Sequence, residues 1–567
     1  MTGAEQGRAV QAERRRRWLG AAVIVIVALA TLGVAVFQPL GGDDVYVLEN
    51  LSSGRWAPRF FAFDVDAPSA GYVPWWFGVA FQRRFLRVPS SGLLWIEWEL
   101  FGRSAVPYHL ITAALVLAGC LLLYRLALRH VSAPRAVVIA SVPLLHPSSA
   151  EVVGTLNCQP LAAAGLFCVA TVVAWDRMRR TGSRPALAAA LAFCALAITS
   201  YEAAAVLPFV LLLADVVLWN DHAPSPRAWG RRLGLLAVFV AYVPGAVAIR
   251  RGLTAPDTGP LRPLAEVWRS ARLDATAYGL KTFGLFDPRD PAAHWLHRIA
   301  GEPLSIAAAL ALLAAVVVLV RRQRLGMLGL VVFASFLVLP WITRATVAQL
   351  NLPTLRQLHL PMLLGGPLVV AALLASVRSR AMGAIGCAWL AALSVETIVV
   401  GGLSAPIPER RALSSSLRAA LADVPADRTI VGIGGDLCGL SPSLFRPGGV
   451  LLAIPDADEA TPALTVIDAH TLVARVPEAF DVPEHEQLPA RQQATDRGPA
   501  WLVRRPPPIV LHGSQRIPGA NVDVVARGPR GIQALRYRFD RPLSQLVFLR
   551  MRGCDAPERV TLPSMGE

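Results

Sequence analysis

One lysine, Lys281, stands against 54 arginines, and only 17% of the 567 residues are charged. So few charges exclude an ordinary soluble globule, because 54% hydrophobic residues and a mean hydropathy of +0.48 leave too little polar surface to cover it. The seven cysteines form no CxxC pair and show no metal spacing. Cys120, Cys158, Cys168, Cys194 and Cys387 fall in apolar runs, where a thiol acts as a small hydrophobe, so neither a zinc site nor a disulfide framework is indicated. Also missing are a phosphate loop and any internal repeat. Gly432 to Asp436 (GIGGD) lacks both the Lys-Ser/Thr ending and the GxGxxG spacing, and reads as a turn. The formal charge of +16 does not point to nucleic acid either, since the arginines sit in short clusters between apolar runs instead of forming one patch.

What the chain has in abundance is apolar sequence. Runs at 18–37, 107–127, 135–147, 158–176, 185–199, 200–219, 232–249, 303–320, 325–343, 360–377 and 382–402 predict a polytopic α-helical membrane protein of about eleven spans, some short enough for neighbouring pairs to be re-entrant hairpins. The first run is longer than a signal-peptide core, and Gln38-Pro39-Leu40-Gly41-Gly42 is a poor cleavage site, so a retained anchor is expected.

Arginine gives the orientation. Arg14 to Arg17 (within residues 1–17), Arg125/Arg129/Arg135, Arg177/Arg179/Arg180/Arg184, Arg227/Arg231/Arg232, Arg321/Arg322/Arg324 and Arg378/Arg380 occupy every second connection, whereas 146–157 and 200–202 have no Lys or Arg. Short basic loops stay cytoplasmic. A cytoplasmic N-terminus follows, with outside loops 38–106 and 250–302 within a membrane domain of residues 18–402. A linker, 403–429, then leads to an extracytoplasmic domain, 430–567. Its β-favouring runs, bounded by Gly, Pro and Asp, predict mostly β or α/β structure. Cys438 and Cys554 share this oxidising side and are a candidate pair, free thiols being the alternative.

Several residues are placed for chemistry. Asp43 and Asp44 open the first outside loop, with Glu49 close behind; a solvated acidic turn is the plain reading. The loop then mixes Trp56, Phe60, Tyr72, Trp75, Trp76, Trp95 and Trp98 with Arg83, Arg84 and Arg87, a composition favouring amphipathic helices in the headgroup region. A carboxylate at membrane depth is costly and so a functional candidate. Glu151 and Glu202 fall at outer ends of spans, while Asp215 and Glu396 read as structural. On the outer side Arg344, Arg356, His359 and Lys281 are cations able to meet a phosphate, with anionic lipid headgroups as the plain alternative.

Taken in order, these elements resemble the GT-C membrane glycosyltransferases, in particular the transmembrane O-mannosyltransferase type. DDVYVLEN is similar to the family's Asp-Asp-to-Asn opening, and Tyr72-Val73-Pro74 to its Tyr-Arg-Pro element. Trp98, Gly102 and Pro107-Tyr108-His109-Leu110 follow in the family's order. HPSSAEVV places His146, Pro147 and Glu151 on the family's His-Pro and Glu positions. YEAAAVLPFVLLLADVV resembles its Lys-Glu span, and LRQLHLP its Glu-Arg-Tyr-Leu-Tyr-Leu-Pro. The likeness covers about residues 20–400 and excludes the tail, which has no TPR repeats. Val73, Tyr201 and Leu355 replace an Arg, a Lys and a Glu of the family, and Asn157-Cys158-Gln159 stands where Gly-Arg is usual.

The resemblance implies an inverting transfer of a sugar from a polyprenyl-phosphate donor to a protein or envelope acceptor on the outer face, in a bacterial inner membrane, with no cofactor or metal and no nucleic acid. Asp44, or second to it Asp43, would be the general base. Arg356, Arg83, Arg84, Lys281 and His359 would meet the donor phosphate, and Glu151, Glu202, Tyr72 and His146 would shape the site. A non-catalytic member assisting glycan assembly or lipid-linked sugar movement is the alternative. The orientation is directly testable: a reporter active only outside the cytoplasm should work when fused at Glu567 and be silent at Gly182, and the reverse pattern would invert the grouping of the site.

Overall fold

The computed structural model describes residues 3–40, 44, 47–48, 51, 62–66, 82–219, 226–251, 323–347, 355–376, 407–425, 428–433, 450–454, 462–476, 514–517, 519–528, 531–550 and 557–564. Among these, four helices are long and apolar enough to cross a membrane: Val10–Val36, Ala105–Ala127, Leu156–Thr181 and Trp229–Ala248. Two bent helix pairs raise the number to as many as six, and two shorter apolar helices, Arg184–Ser200 and Arg324–Leu337, join them. The chain is a multi-pass membrane protein. The expected spans 303–320 and 382–402, the loop 250–302 beyond Arg251, Glu396, Cys387, Cys438 and Cys554 lie outside the described residues.

The helices are α1 (Gly3–Val36), α2 (Val88–Phe101), α3 (Ala105–Ala127), α4 (Ala133–Leu145), α5 (Pro147–Val153), α6 (Gln159–Thr181), α7 (Arg184–Ser200), α8 (Leu207–Trp219), α9 (Pro226–Arg251), α10 (Arg324–Val347), α11 (His359–Leu364), α12 (Gly366–Ser376) and α13 (Ile407–Ala422). Helices α6 and α7 form a tight antiparallel hairpin. Gly182 turns it with φ +64°, a conformation that costs glycine little, and the Ser183 hydroxyl caps α7 by accepting from Ala186 N–H at 3.4 Å. Small residues line the contact, with Ala162, Ala164, Cys168, Ala186, Ala190, Cys194 and Ala197 all buried. That suits helices in lipid, whose association depends on close backbone approach. At the arginine-bearing ends, Asp176 meets Arg129 (2.6 Å) and Arg180, and Asp215 accepts from Trp175 Nε1 (3.1 Å) and Arg232 (3.3 Å). Asp215 thereby ties α8 to α6 and α9.

Two spans are broken. Helices α4 and α5 meet at 57°, where Pro143 and Pro147 bracket the extended His146. Arg356–Leu364 and Gly366–Ala375 meet at 44° around Gly365. Close packing explains that glycine: a Cβ on it would lie 2.8 Å from both the Gly329 carbonyl oxygen and the Phe333 nitrogen of α10.

Between the first two spans, the segment expected as amphipathic helix is partly strand. β1 (Ala62–Asp66) pairs antiparallel with β2 (Gln82–Leu86). Helix α2 follows; Ile96, Glu99, Leu100 and Phe101 are exposed while Ser90, Ser91, Leu94 and Glu97 are buried.

The C-terminal region begins with α13, inside the stretch expected as a linker; Leu417 and Leu421 are buried, and Arg559 donates to the Ala420 carbonyl at 2.9 Å. Two sheets follow. β3 (Thr429–Ile433), β4 (Val450–Ile454), β10 (Leu546–Arg550) and β11 (Glu558–Val560) pair in the order β11-β10-β3-β4, parallel except for β11. β5 (Ala463–Val466), β6 (Thr471–Arg475), β7 (Ser514–Ile517), β8 (Ala520–Gly528) and β9 (Gly531–Phe539) form an antiparallel sheet, β5-β6-β9-β8-β7. One core joins them, with Val431, Ile433, Ile454 and Phe548 packed among Leu472, Val522, Leu535, Tyr537 and Phe539.

Gly365→Ala should cost roughly 1–3 kcal/mol through overpacking against backbone, read as a lower melting temperature of the purified protein. Gly33→Ala, with nothing within 4 Å of the added methyl, should leave it unchanged. Equal effects would remove the close-packing account of the second bend.

Candidate functional site

Three consecutive residues organise the end of the helix bundle opposite the arginine-bearing ends. Asn157, Cys158 and Gln159 close a 3₁₀ turn (Leu156–Cys158) that runs straight into α6, with Pro160 in its first turn. Gly154, at the end of α5, lets Gln38 come close, since a Cβ there would fall 2.5 Å from the Gln38 amide oxygen. That approach brings the chain leaving α1 to the turn. Asp44, 1% exposed, accepts from Asn157 N–H at 3.1 Å. Cys158 Sγ accepts from Arg356 Nη1 at 3.7 Å. Gln159 Nε2 donates to both carboxyl oxygens of Glu97, at 2.7 and 2.8 Å.

Around this turn stand two further carboxylates. Glu151 Oε2, on α5, accepts the Arg356 backbone N–H at 2.9 Å, which fixes the start of the 3₁₀ segment Leu355–Leu358. Glu202 receives Arg87 in a fork, Nε to Oε2 at 3.0 Å and Nη2 to Oε1 at 2.8 Å. The same guanidinium lies 4.6 Å from the centre of the Tyr201 ring. Ser90 Oγ donates to the Ser200 carbonyl at 3.2 Å and ties α2 to the end of α7.

The electrostatics follow from this crowding. Burial disfavours the Arg87 charge, but the Glu202 carboxylate outweighs it and holds the guanidinium above its ordinary range. Burial, with the Glu202 charge, raises the Tyr201 phenol against the pull of both Arg87 and Arg356. Burial likewise pushes Glu97 up to about 7, the Gln159 amide pulling the other way. Two guanidinium groups and a phenol thus share one region beside four carboxylates, an arrangement able to hold a phosphate and to orient a hydroxyl. Among the described residues no three His, Cys, Asp or Glu side chains gather closely enough to hold a metal ion.

Of the residues expected from the sequence, Asp44, Glu151, Glu202 and Arg356 come together here. His146 is at the break between α4 and α5 instead, and His359, at the start of α11, packs against α5. His146 Nδ1 accepts from Ser148 N–H at 3.2 Å and caps α5. His359, 1% exposed, has Nδ1 3.2 Å from Ser149 Oγ, itself a donor to the Pro143 carbonyl, and its Nε2 faces Gly165 of α6. Arg84 and Arg83 are strand residues of β2, opposite Asp64 and Val65. Asp43, Tyr72 and Lys281 lie outside the described residues. Sequence reasoning missed three contributors: Arg87 as a site cation, Glu97 and Gln159. Carboxylates inside the apolar run LLWIEWELF, Glu97 and Glu99, were the available signal for Glu97.

No family model matches the chain, and no curated protein does. Solved structures show a distant likeness. ArnT from Cupriavidus metallidurans bound to undecaprenyl phosphate is 16% identical with a TM-score of 0.43, over 78% of this chain and 86% of its own. The Archaeoglobus fulgidus oligosaccharyltransferase in complex with zinc and sulfate is 15% identical with a TM-score of 0.39, over 76% of this chain and 62% of its own, so the match spans less than two thirds of that enzyme. AglB from the same organism, in complex with an inhibitory peptide and a dolichol-phosphate, gives 13% and 0.35, over 68% of this chain and 56% of its own. Likenesses at this level carry no argument about the chemistry of this chain.

Proposed function

We propose that this protein is an inverting membrane glycosyltransferase that moves a sugar from a polyprenyl-phosphate donor to a protein or envelope acceptor on the outer face of a bacterial inner membrane. The observation that supports this most is convergence. Residues far apart in sequence, each matching an element of the GT-C resemblance, meet at one short turn: Asp44 on Asn157, Arg356 on Cys158, and Glu151 on the Arg356 amide. The N-terminus is taken as cytoplasmic and the C-terminal domain as extracytoplasmic, which puts the turn on the donor's outer leaflet.

In this reading the acceptor oxygen attacks the anomeric carbon, the carbon–oxygen bond to phosphate breaks, and the polyprenyl phosphate leaves with the electron pair. A carboxylate takes the acceptor proton. The Arg356 guanidinium neutralises the departing phosphate, and Arg87 beside Tyr201 supplies a second cation in the region where the resembling family has lysine. His359, behind the Arg356 turn, shapes the site together with His146, Glu151 and Glu202. Arg83, Arg84 and Lys281 remain candidates for the lipid headgroup side. Adjacent carboxylates in a turn divide their work. Asp44, buried and bonded to a backbone N–H, suits the one that fixes the loop, so the proton is assigned to Asp43, reversing the order expected from sequence. Loss of the family's cations at Val73 and Tyr201 favours the alternative, a non-catalytic protein that handles lipid-linked sugar.

Asp43→Asn should lower turnover about 10²–10⁴-fold at equal membrane protein level and saturating donor, whereas Asp44→Asn should mainly lower abundance. The opposite result returns the proton to Asp44. Turnover within a few-fold of the parent in both variants makes the non-catalytic reading the better one. Arg356→Lys, which keeps the charge and loses the planar fork, should raise the apparent KM for donor. An unchanged KM in Arg356→Ala would remove the phosphate contact.

A further inference from the structure

Glu97 sits in the middle of an apolar helix, yet it is 1% exposed. Both of its oxygens are within hydrogen-bond distance of one nitrogen, Gln159 Nε2, while Gln159 Oε1 is buried without a hydrogen-bond partner. An ionised carboxylate only accepts, so it cannot serve that oxygen. A carboxylic acid can. Its O–H donates to Gln159 Oε1 while its other oxygen accepts from Nε2, and the reciprocal pair satisfies every buried polar atom of the two side chains.

Packed around α2 are α7, α6, α3 and β1. On α2 itself Glu99 is exposed, two residues from Glu97. Tyr108 on α3 donates its hydroxyl to the Gly102 carbonyl at 2.7 Å, and Arg103, just beyond α2, lies 5.7 Å from the Trp98 ring centre. Next to Tyr108 is the buried His109, with Cys120, Tyr124 and Arg125 further along α3. Helix α6 brings Gln159, with Cys168, Asp176, Arg177, Arg179 and Arg180 further along it; α7 carries only Arg184 and Cys194, and β1 carries Asp64 and Asp66. Burial of Glu97 at this place favours its neutral form and raises its pKa from 4.5 to about 7.

We propose that Glu97 is a positioning residue: its carboxyl proton bonds Gln159 Oε1, and the pair clamps the 157–159 turn so that Asn157 N–H stays on Asp44. The consequence for turnover rests on the transferase reading; the clamp itself does not. Because the folded-state pKa is raised, the stabilisation is complete below 4.5 and is lost as pH rises through about 7.

The test uses the full chain in lipid nanodiscs, with thermal midpoints from pH 5 to pH 8.5 for the parent, Glu97→Gln, Glu97→Ala and the exchanged double variant Glu97→Gln/Gln159→Glu. The parent's midpoint should fall across this range. Glu97→Gln keeps a reciprocal pair with no proton to lose and should fall less; the exchanged pair should restore the fall; Glu97→Ala should be low throughout. A Glu97→Gln profile as steep as the parent's, or an exchanged pair no more stable than Glu97→Ala, overturns the clamp. In the turnover arm, Glu97→Gln should exceed the parent by up to about tenfold at pH 8, one unit above the pKa. If the midpoints behave as expected and every variant, the parent included, is inactive on polyprenyl-phosphate sugars, the transferase reading fails and the positioning role falls with it. If turnover is present but independent of Glu97, only the positioning role falls.

Discussion

A helix that starts or breaks near the hydrocarbon of a membrane leaves backbone N–H groups that lipid cannot satisfy, and each must be met by the protein. Here three such starts are met by side chains: His146 Nδ1 takes Ser148 N–H, Asp44 takes Asn157 N–H, and Glu151 takes Arg356 N–H. Two of these acceptors are carboxylates, Asp44 beyond the end of α1 and Glu151 on α5. Once they are committed to backbone amides, they hold the first loop, the bent span and the Arg356 segment to one place. The geometry of the candidate site is therefore a by-product of satisfying broken helices. Those helices break where Pro143, Pro147 and a closely packed Gly365 make continuation unfavourable.

Charge is the second consequence. Two of the positions where the resembling family carries cations hold Val73 and Tyr201 in this chain. At Tyr201 the cation comes from elsewhere: Arg87, at the start of α2, stacks on the ring and forks to Glu202. A guanidinium buried to this degree persists because its partner is bidentate and its stem is packed, not because exposed ion pairs are strong. Its face on Tyr201 and the Arg356 contact with Cys158 leave two cationic groups beside one turn, which is the feature most favourable to an anionic leaving group.

Much of this was legible in the sequence for one physical reason, the cost of ionised groups in apolar runs. Glu151, Glu202 and Arg356 stood out by that cost and by their order along the chain, and Asp44 by its place just past the first span. Glu97 obeyed the same rule and was overlooked because its neighbours Trp95 and Trp98 suggested an interfacial segment. The strand Ala62–Asp66 was also readable, from the alternation Phe63-Asp64-Val65-Asp66, under an aromatic composition that pointed to helix. Helix α13 carried its own signal in Leu413, Leu417 and Leu421 at four-residue spacing, hidden by the Pro-rich flank. The partner of Glu202 and the 44° bend were not legible, since both depend on which distant helices pack together, whereas Pro143 and Pro147 marked the 57° bend.

The most direct test of the account is a transfer assay with the purified protein reconstituted in vesicles, supplied with a defined polyprenyl-phosphate sugar and read by the appearance of free polyprenyl phosphate. The account predicts protein-dependent release, abolished together with turnover in Asp43→Asn and slowed in Arg356→Ala. Binding of the lipid-linked sugar without any release, across a panel of donor sugars and with membrane acceptors present, would contradict it.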